Sequence, residues 1–130
     1  MIVVDATVAV DASLSPRGLD TLRRHRPIAP PLLWSEASAA LRQLVWRDLI
    51  SEDSGRAALE RLLDAPIDRR SSGRLYEEAW RVASLLGWAR TYDAEYVALA
   101  RLQGCRLVTL DGRLRRGAGH VVEIVGPTEL

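Results

Sequence analysis

Lysine is absent from this 130-residue chain, cysteine occurs once and histidine twice. A single cysteine excludes an internal disulfide and agrees with a reducing compartment. His25, His120 and Cys105 share no metal-ligand spacing, which argues against a zinc site. Cys105 stands just before an apolar segment, where a small buried thiol is common. No serine, histidine or cysteine constellation competes for a catalytic role, and no Gly-x-Ser-x-Gly occurs. The glycines form neither of the phosphate-binding loops that nucleotide enzymes use. No apolar run is long enough to span a bilayer, and Ile2-Val3-Val4 is cut short by Asp5 before a signal-like region can form. The expectation is a cytoplasmic protein with no membrane partner. No repeat, linker or low-complexity stretch interrupts the chain, so residues 1–130 are expected to form a single domain.

Hydrophobic content of 48% and charged content of 27% are ordinary for a soluble globular chain. A chain of this length buries about two-thirds of the surface its unfolded form exposes, enough for one core. Net charge is +1, and by itself that argues against a nucleic-acid binder. Distribution changes the reading. Every basic residue is arginine, and two groups stand out: Arg23-Arg24-His25-Arg26, and Arg113 with Arg115 and Arg116. Guanidinium groups take phosphate in two parallel hydrogen bonds and stack on bases, so a local patch can hold a strand. Both groups can equally be solvated faces.

Four acids occupy positions where segments begin or end. Ile2-Val3-Val4 reads as a strand with Asp5 at its exit, followed by a helix or bend over Ala6–Val10. Cys105–Leu110 is a second strand candidate, with Thr109 and Asp111 on one side and Asp111-Gly112 as a turn signal. Pro30-Pro31 forbids a helix before it and permits one after it. Leu33, Ala37, Ala40, Leu41, Leu44 and Val45 then recur at helical spacing, with Glu36 in the first turns. Asp93 opens a helix at or near its N-cap, and Gly104 stops it. Ser51-Glu52-Asp53 opens another helix through Leu63, ended by Pro66, and Leu75–Leu86 is an amphipathic helix closed by Gly87. Ile67-Asp68 is a short strand candidate, and His120–Val125 is the last.

This alternation predicts a small three-layer α/β fold with a mostly parallel sheet. In such folds the residues past the carboxyl ends of strands converge on one edge, where ligands bind. Converging carboxylates repel unless a cation lies between them. Taken singly, Asp5 and Asp93 read as N-caps worth roughly 1 kcal/mol each. Glu36 reads as a complement to a helix dipole, and Asp111 as turn chemistry.

Taken together, Ile2-Val3-Val4-Asp5-Ala6-Thr7, Pro31-x-x-x-x-Glu36, Tyr92-Asp93-Ala94-Glu95-Tyr96-Val97-Ala98-Leu99-Ala100 and Leu107-Val108-Thr109-Leu110-Asp111 resemble the PIN-domain nucleases. Within them the resemblance is closest to the VapC-type toxins of bacterial toxin-antitoxin pairs, and it runs the length of the chain. It implies a PIN-like α/β/α sandwich and an acidic quartet of Asp5, Glu36, Asp93 and Asp111 holding Mg2+, with Mn2+ as a substitute. Asp5 and Asp93 are then the direct ligands, Thr109 the supporting hydroxyl, and Thr7 a similar small polar residue after the first acid. Asp11 departs from the pattern and reads as a solvated acid or one at the rim of the site. The resemblance further implies an endoribonuclease, a homodimer, and silencing by a cognate antitoxin seated in a helical groove, with Trp34, Leu41, Val45, Trp46 and Leu49 as candidate lining. The tryptophans otherwise read as core or half-buried anchors.

The chemistry agrees with the residue types. Magnesium prefers hard oxygen ligands and keeps several waters, so carboxylates without histidine or cysteine are its expected surroundings. Such an ion activates water and neutralises charge on a phosphodiester, and Arg113, Arg115 and Arg116 stand ready to hold the strand. Two alternatives remain at this level: a PIN-fold binding or regulatory module without activity, and a nuclease acting in RNA maturation or on DNA.

Overall fold

The computed structural model describes residues 1–130. The β-branched opening run forms β1 (Ile2–Val4), with every residue buried. Further strands are β2 (Pro27–Ala29), β3 (Asp68–Arg69), β4 (Arg106–Val108) and β5 (Ile124–Val125). They make one five-stranded sheet in the order β3-β2-β1-β4-β5, and every neighbouring pair is parallel. In the centre, Ile2, Val3 and Val4 lie opposite Arg106, Leu107 and Val108. A central parallel strand is covered on both faces, which is why β1 is continuously apolar rather than alternating.

Helices fill the crossovers. α1 (Ala6–Ser13), α2 (Leu32–Trp46) and α3 (Glu52–Leu63) carry the chain from β1 to β2 to β3, and they pack on one another. α4 (Leu75–Leu86) and α5 (Tyr92–Gln103) bring it back across the sheet to β4, and α6 (Gly112–Ala118) leads on to β5. The direction of travel reverses after β3. Right-handed crossovers then place α1–α3 on one face and α4–α6 on the other, giving the three-layer α/β/α sandwich. The reversal falls between β1 and β4, so the crevice beyond their carboxyl ends is the switch point where open α/β sheets bind ligands.

Several elements differ from the sequence expectation. β2 had no alternating or long apolar signal: it is Pro27-Ile28-Ala29, tolerable because proline is accepted at the first position of a strand. Arg23, Arg24 and His25 end a 3-10 helix over Leu19–His25. The sheet is wholly parallel. The last strand shrinks to Ile124–Val125 because the chain is still turning through His120. Asp93 does fall near the helix start as expected, the second residue of α5 after the cap Thr91. Asp111 caps a helix, accepting hydrogen bonds from the amides of Arg113 and Leu114 at 2.9 and 3.4 Å. Helices α2 and α3 approach closely at Gly55, where an added Cβ would stand 2.5 Å from Val45 Cγ2. No helix is long and apolar enough to cross a membrane.

Candidate active site

Asp5 is the buried centre of the site, 4% exposed at the end of β1. Its amide donates to the Val108 carbonyl at 3.2 Å, pinning it to the end of β4. Its Oδ1 accepts from the Thr7 hydroxyl at 2.6 Å and from the Val8 amide at 3.1 Å, and its Oδ2 accepts from the Thr109 hydroxyl. A carboxylate offers about four acceptor positions, so one remains for a further partner. The hydroxyls are held in turn: the Asp111 amide donates to Thr109 Oγ1 at 2.9 Å, and the Leu110 amide to Thr7 Oγ1 at 3.0 Å. Asp5 is therefore both the cap of α1 and an acid fixed at the switch point.

Glu36 reaches the same edge from α2, held by the Tyr96 hydroxyl, which donates to its Oε1 at 2.5 Å. Burial and the Glu36 carboxylate raise the Tyr96 pKa, so the phenol stays a donor. Asp93 arrives in the first turn of α5 and Asp111 at the N-terminus of α6.

The acids feel one another. The Asp5 pKa is raised, by burial first, against the pull of the Thr109, Thr7 and Val8 hydrogen bonds, with the Asp93 charge adding to the rise. Glu36 is raised by burial and by the charges of Asp93 and Asp5, against the Tyr96 hydrogen bond. Asp93 is raised by burial and by Asp111, while Arg113 opposes the rise. A fifth acid joins them: Glu95, buried on α5, is raised by burial and then by Glu36. The structure thus brings Asp5, Glu36, Asp93 and Asp111 into one electrostatic neighbourhood. No three acidic, histidine or cysteine side chains close tightly enough to enclose an ion by themselves. Magnesium does not demand such a cage, since it is usually bound through one or two carboxylates and its own waters. The all-oxygen donors and their mutual repulsion fit a hard divalent cation.

The arginines divide. Arg113 stands near enough to Asp93 to lower its pKa, and Arg116 folds back so that a Cβ on Gly112 would meet its Nη1 at 3.0 Å. Arg115 is engaged by Glu129, with contacts of 2.5 and 2.9 Å. That pairing raises the Arg115 pKa and lowers that of Glu129. Two clefts flank Glu36. One, of about 500 Å³, also involves Trp88, Arg90, Tyr92 and Asp93; the other, of about 420 Å³, includes Thr7 and Asp11. Asp11 is exposed and lines this second cleft. A separate groove of about 380 Å³ between α2 and α3 includes Leu41, Val45, Leu59 and Leu63. Trp46 and Leu49 are strongly exposed nearby in sequence, whereas the Trp34 ring lies 4.4 Å beneath the Arg69 guanidinium.

Sequence reasoning did not find Tyr96, because its partner is 60 residues away and its place in an apolar helix reads as core. It also passed over Glu95. The only signal for either was an acid and a hydroxyl interrupting the most buried stretch of α5.

The PIN domain family model matches residues 2–119. This chain belongs to the PIN-domain family. The PIN domain is 38% identical over 128 residues to Ribonuclease VapC12 of Mycobacterium tuberculosis, covering 95% of this chain and 97% of that protein. Its fold is similar to the crystal structure of PAE2754 from Pyrobaculum aerophilum, with a TM-score of 0.74 at 25% identity, covering 98% and 91% of the two chains. A toxin-antitoxin complex from Klebsiella pneumoniae shares the fold, with a TM-score of 0.65 at 16% identity and 96% coverage of both chains.

Proposed function

We propose that this PIN domain is a metal-dependent endoribonuclease, the toxin of a toxin-antitoxin pair, using Mg2+ with Mn2+ as a substitute and working in the cytoplasm. The observation that carries the reading is the arrangement at the switch point: Asp5 is held by two threonine hydroxyls and a backbone amide, and beside burial the Asp93 charge raises the pKa values of Asp5 and Glu36 while the Asp111 charge raises that of Asp93. Asp5 and Asp93 are the residues that would hold the ion, and Glu36 and Asp111 complete its surroundings. When bound, the ion lowers the pKa of a water and neutralises charge on the phosphodiester. The protein's own residues do the rest. Thr109 and Thr7 fix the Asp5 carboxylate, and Tyr96 fixes Glu36 so that it can orient a water. Arg113, Arg115 and Arg116 supply phosphate contacts, Arg113 first because its charge is felt at Asp93 and it forms none of the structure's ion pairs.

The partners follow from the relatives and the surface. VapC12 is named a ribonuclease and the Klebsiella structure is a toxin-antitoxin complex, which supports RNA as substrate and an antitoxin as partner. The α2–α3 groove, with the exposed Trp46 and Leu49 close by in sequence, is the candidate antitoxin seat. The exposed Tyr76 and Trp80 on α4, one turn apart, support a homodimer. The competing readings, an inactive module or a nuclease for DNA or RNA maturation, keep the fold and change the activity or the substrate.

The test compares matched single-stranded RNA and DNA with wild type and Asp93→Asn in magnesium. RNA is cut, DNA is spared, and Asp93→Asn slows cleavage by more than about 100-fold, the upper end for losing a residue that merely supports a ligand. Equal cleavage of DNA, or undiminished cleavage by the variant, overturns it.

A further inference from the structure

The larger cleft beside Glu36 has a second wall that the hydrolytic residues do not use, formed by Trp88, Ala89, Arg90 and Tyr92. We propose that this wall is a nucleobase subsite: the base of a nucleotide flanking the cut phosphate stacks on Tyr92, with Arg90 beside it. The proposal rests on the ribonuclease reading and specifies how the strand is gripped.

Three observations carry it. Tyr92 is 53% exposed although it immediately precedes Asp93, and it lines the cleft shared with Glu36 and Asp93, so an aromatic side chain is open to solvent at the margin of the acidic site. The wall is also built rather than loose. Gly87 adopts φ of 70°, closed to most side chains, and ends α4. The Trp88 amide then returns to the Ala83 carbonyl at 2.9 Å. The Trp88 ring lies over Gly117 of α6, where a Cβ would be 3.6 Å from it. The loop is thereby docked on the helix that Asp111 caps.

The third observation is charge. Glu36 and Asp93 make the inner wall hostile to a bare phosphate, whereas the uncharged base suits the aromatic outer wall. Arg90 forms none of the structure's ion pairs and is exposed, leaving its guanidinium free to stack or to meet the adjoining phosphate. The volume of about 500 Å³ lies in the usual range for small-ligand sites, about 300–1,000 Å³. Stacking on an aromatic face tolerates any base, and so grips single-stranded RNA without fixing its sequence.

The experiment measures steady-state cleavage, in magnesium, of a single-stranded oligoribonucleotide spanning a mapped cut. Wild type, Tyr92→Ala, Tyr92→Phe and Arg90→Ala are compared, and the oligonucleotide is also made with one abasic nucleotide on either side of the cut. In wild type an abasic residue at one flank raises KM on the order of 10-fold, within the span expected for one stacked base. Tyr92→Ala raises KM similarly on the intact strand with kcat nearly unchanged, as expected for a lost binding contact. The abasic residue adds nothing further in that variant. Tyr92→Phe restores KM, and Arg90→Ala raises it. Unchanged KM in folded Tyr92→Ala, or an abasic penalty that persists in full in that variant, overturns the subsite. Failure of wild type to cut any RNA overturns the ribonuclease reading and the subsite with it, before any variant is compared.

Discussion

Asp5 caps a helix and, in the proposed reading, is also the central acid of the site. Its Oδ1 caps α1 through the Val8 amide while its Oδ2 is turned toward Thr109, so neither role displaces the other. Asp5→Ala leaves the Thr109 hydroxyl and the Val8 amide without their acceptor and should cost about 1–3 kcal/mol by chemical denaturation. Thr109→Val keeps the shape but removes the donor, and should lower cleavage about 10–100-fold with a smaller loss of stability. A loss of stability as large as that of Asp5→Ala, with activity intact, would make Thr109 purely structural. The acids also predict a pH profile. Asp5, Glu36, Asp93 and Glu95 all have pKa values raised in the fold, chiefly by burial. Raised carboxyl pKa values mean that the folded chain binds protons more tightly than the unfolded one. Their contribution is complete below the ordinary carboxylate range and is lost as pH climbs from near 4 through the raised values. The metal-free protein should therefore melt at a higher temperature in mild acid than at neutral pH, and added Mg2+ should stabilise it most at neutral pH. A melting temperature that rises with pH without metal would contradict this.

At the scale of elements, what the sequence revealed depended on length and punctuation. α2, with its period-3.6 apolar stripe after Pro31, and α5, closed by Gly104, were legible because each carries its own pattern and its own stop. β2 was not, since three residues between arginines and prolines hold no period and become a strand only because β1 and β3 offer partners. The site divided along the same line. Asp5, Glu36, Asp93 and Asp111 could be picked out from the ends of patterned segments, and Thr109 from the motif. The Tyr96–Glu36 bond and the Arg115–Glu129 pair are made only by tertiary folding. The α2–α3 contact gives a prediction of its own. Gly55→Ala should destabilise the protein, because the new methyl meets Val45 at 2.5 Å, and overpacking typically costs about 1–3 kcal/mol. In a Val45→Ala background the same change should instead gain up to about 1 kcal/mol from helix propensity. Equal effects in both backgrounds, read from denaturant midpoints, would show that the two helices do not meet there as described.

At the scale of the whole molecule, the sheet order decides where chemistry can occur. The switch in strand order lies between β1 and β4, so a crevice is expected beyond the carboxyl ends of those strands, and α2, α5 and the N-cap of α6 carry Glu36, Asp93 and Asp111 toward it. The far side of α4 carries the exposed Trp80, at 71%, and Tyr76, at 60%. If the proposed homodimer forms through this face, Trp80→Glu should convert it to monomer in sedimentation experiments without changing Mn2+ binding; a wild type that is monomeric at high concentration would contradict the proposed dimer. The most direct measurement is anomalous scattering from a crystal soaked in Mn2+. The expected result is a peak at the carboxyl ends of β1 and β4, contacting Asp5 and Asp93 and missing in Asp93→Asn. An empty crevice at saturating manganese, or a peak elsewhere on the surface, would contradict the claim that these carboxylates form a metal-dependent active site.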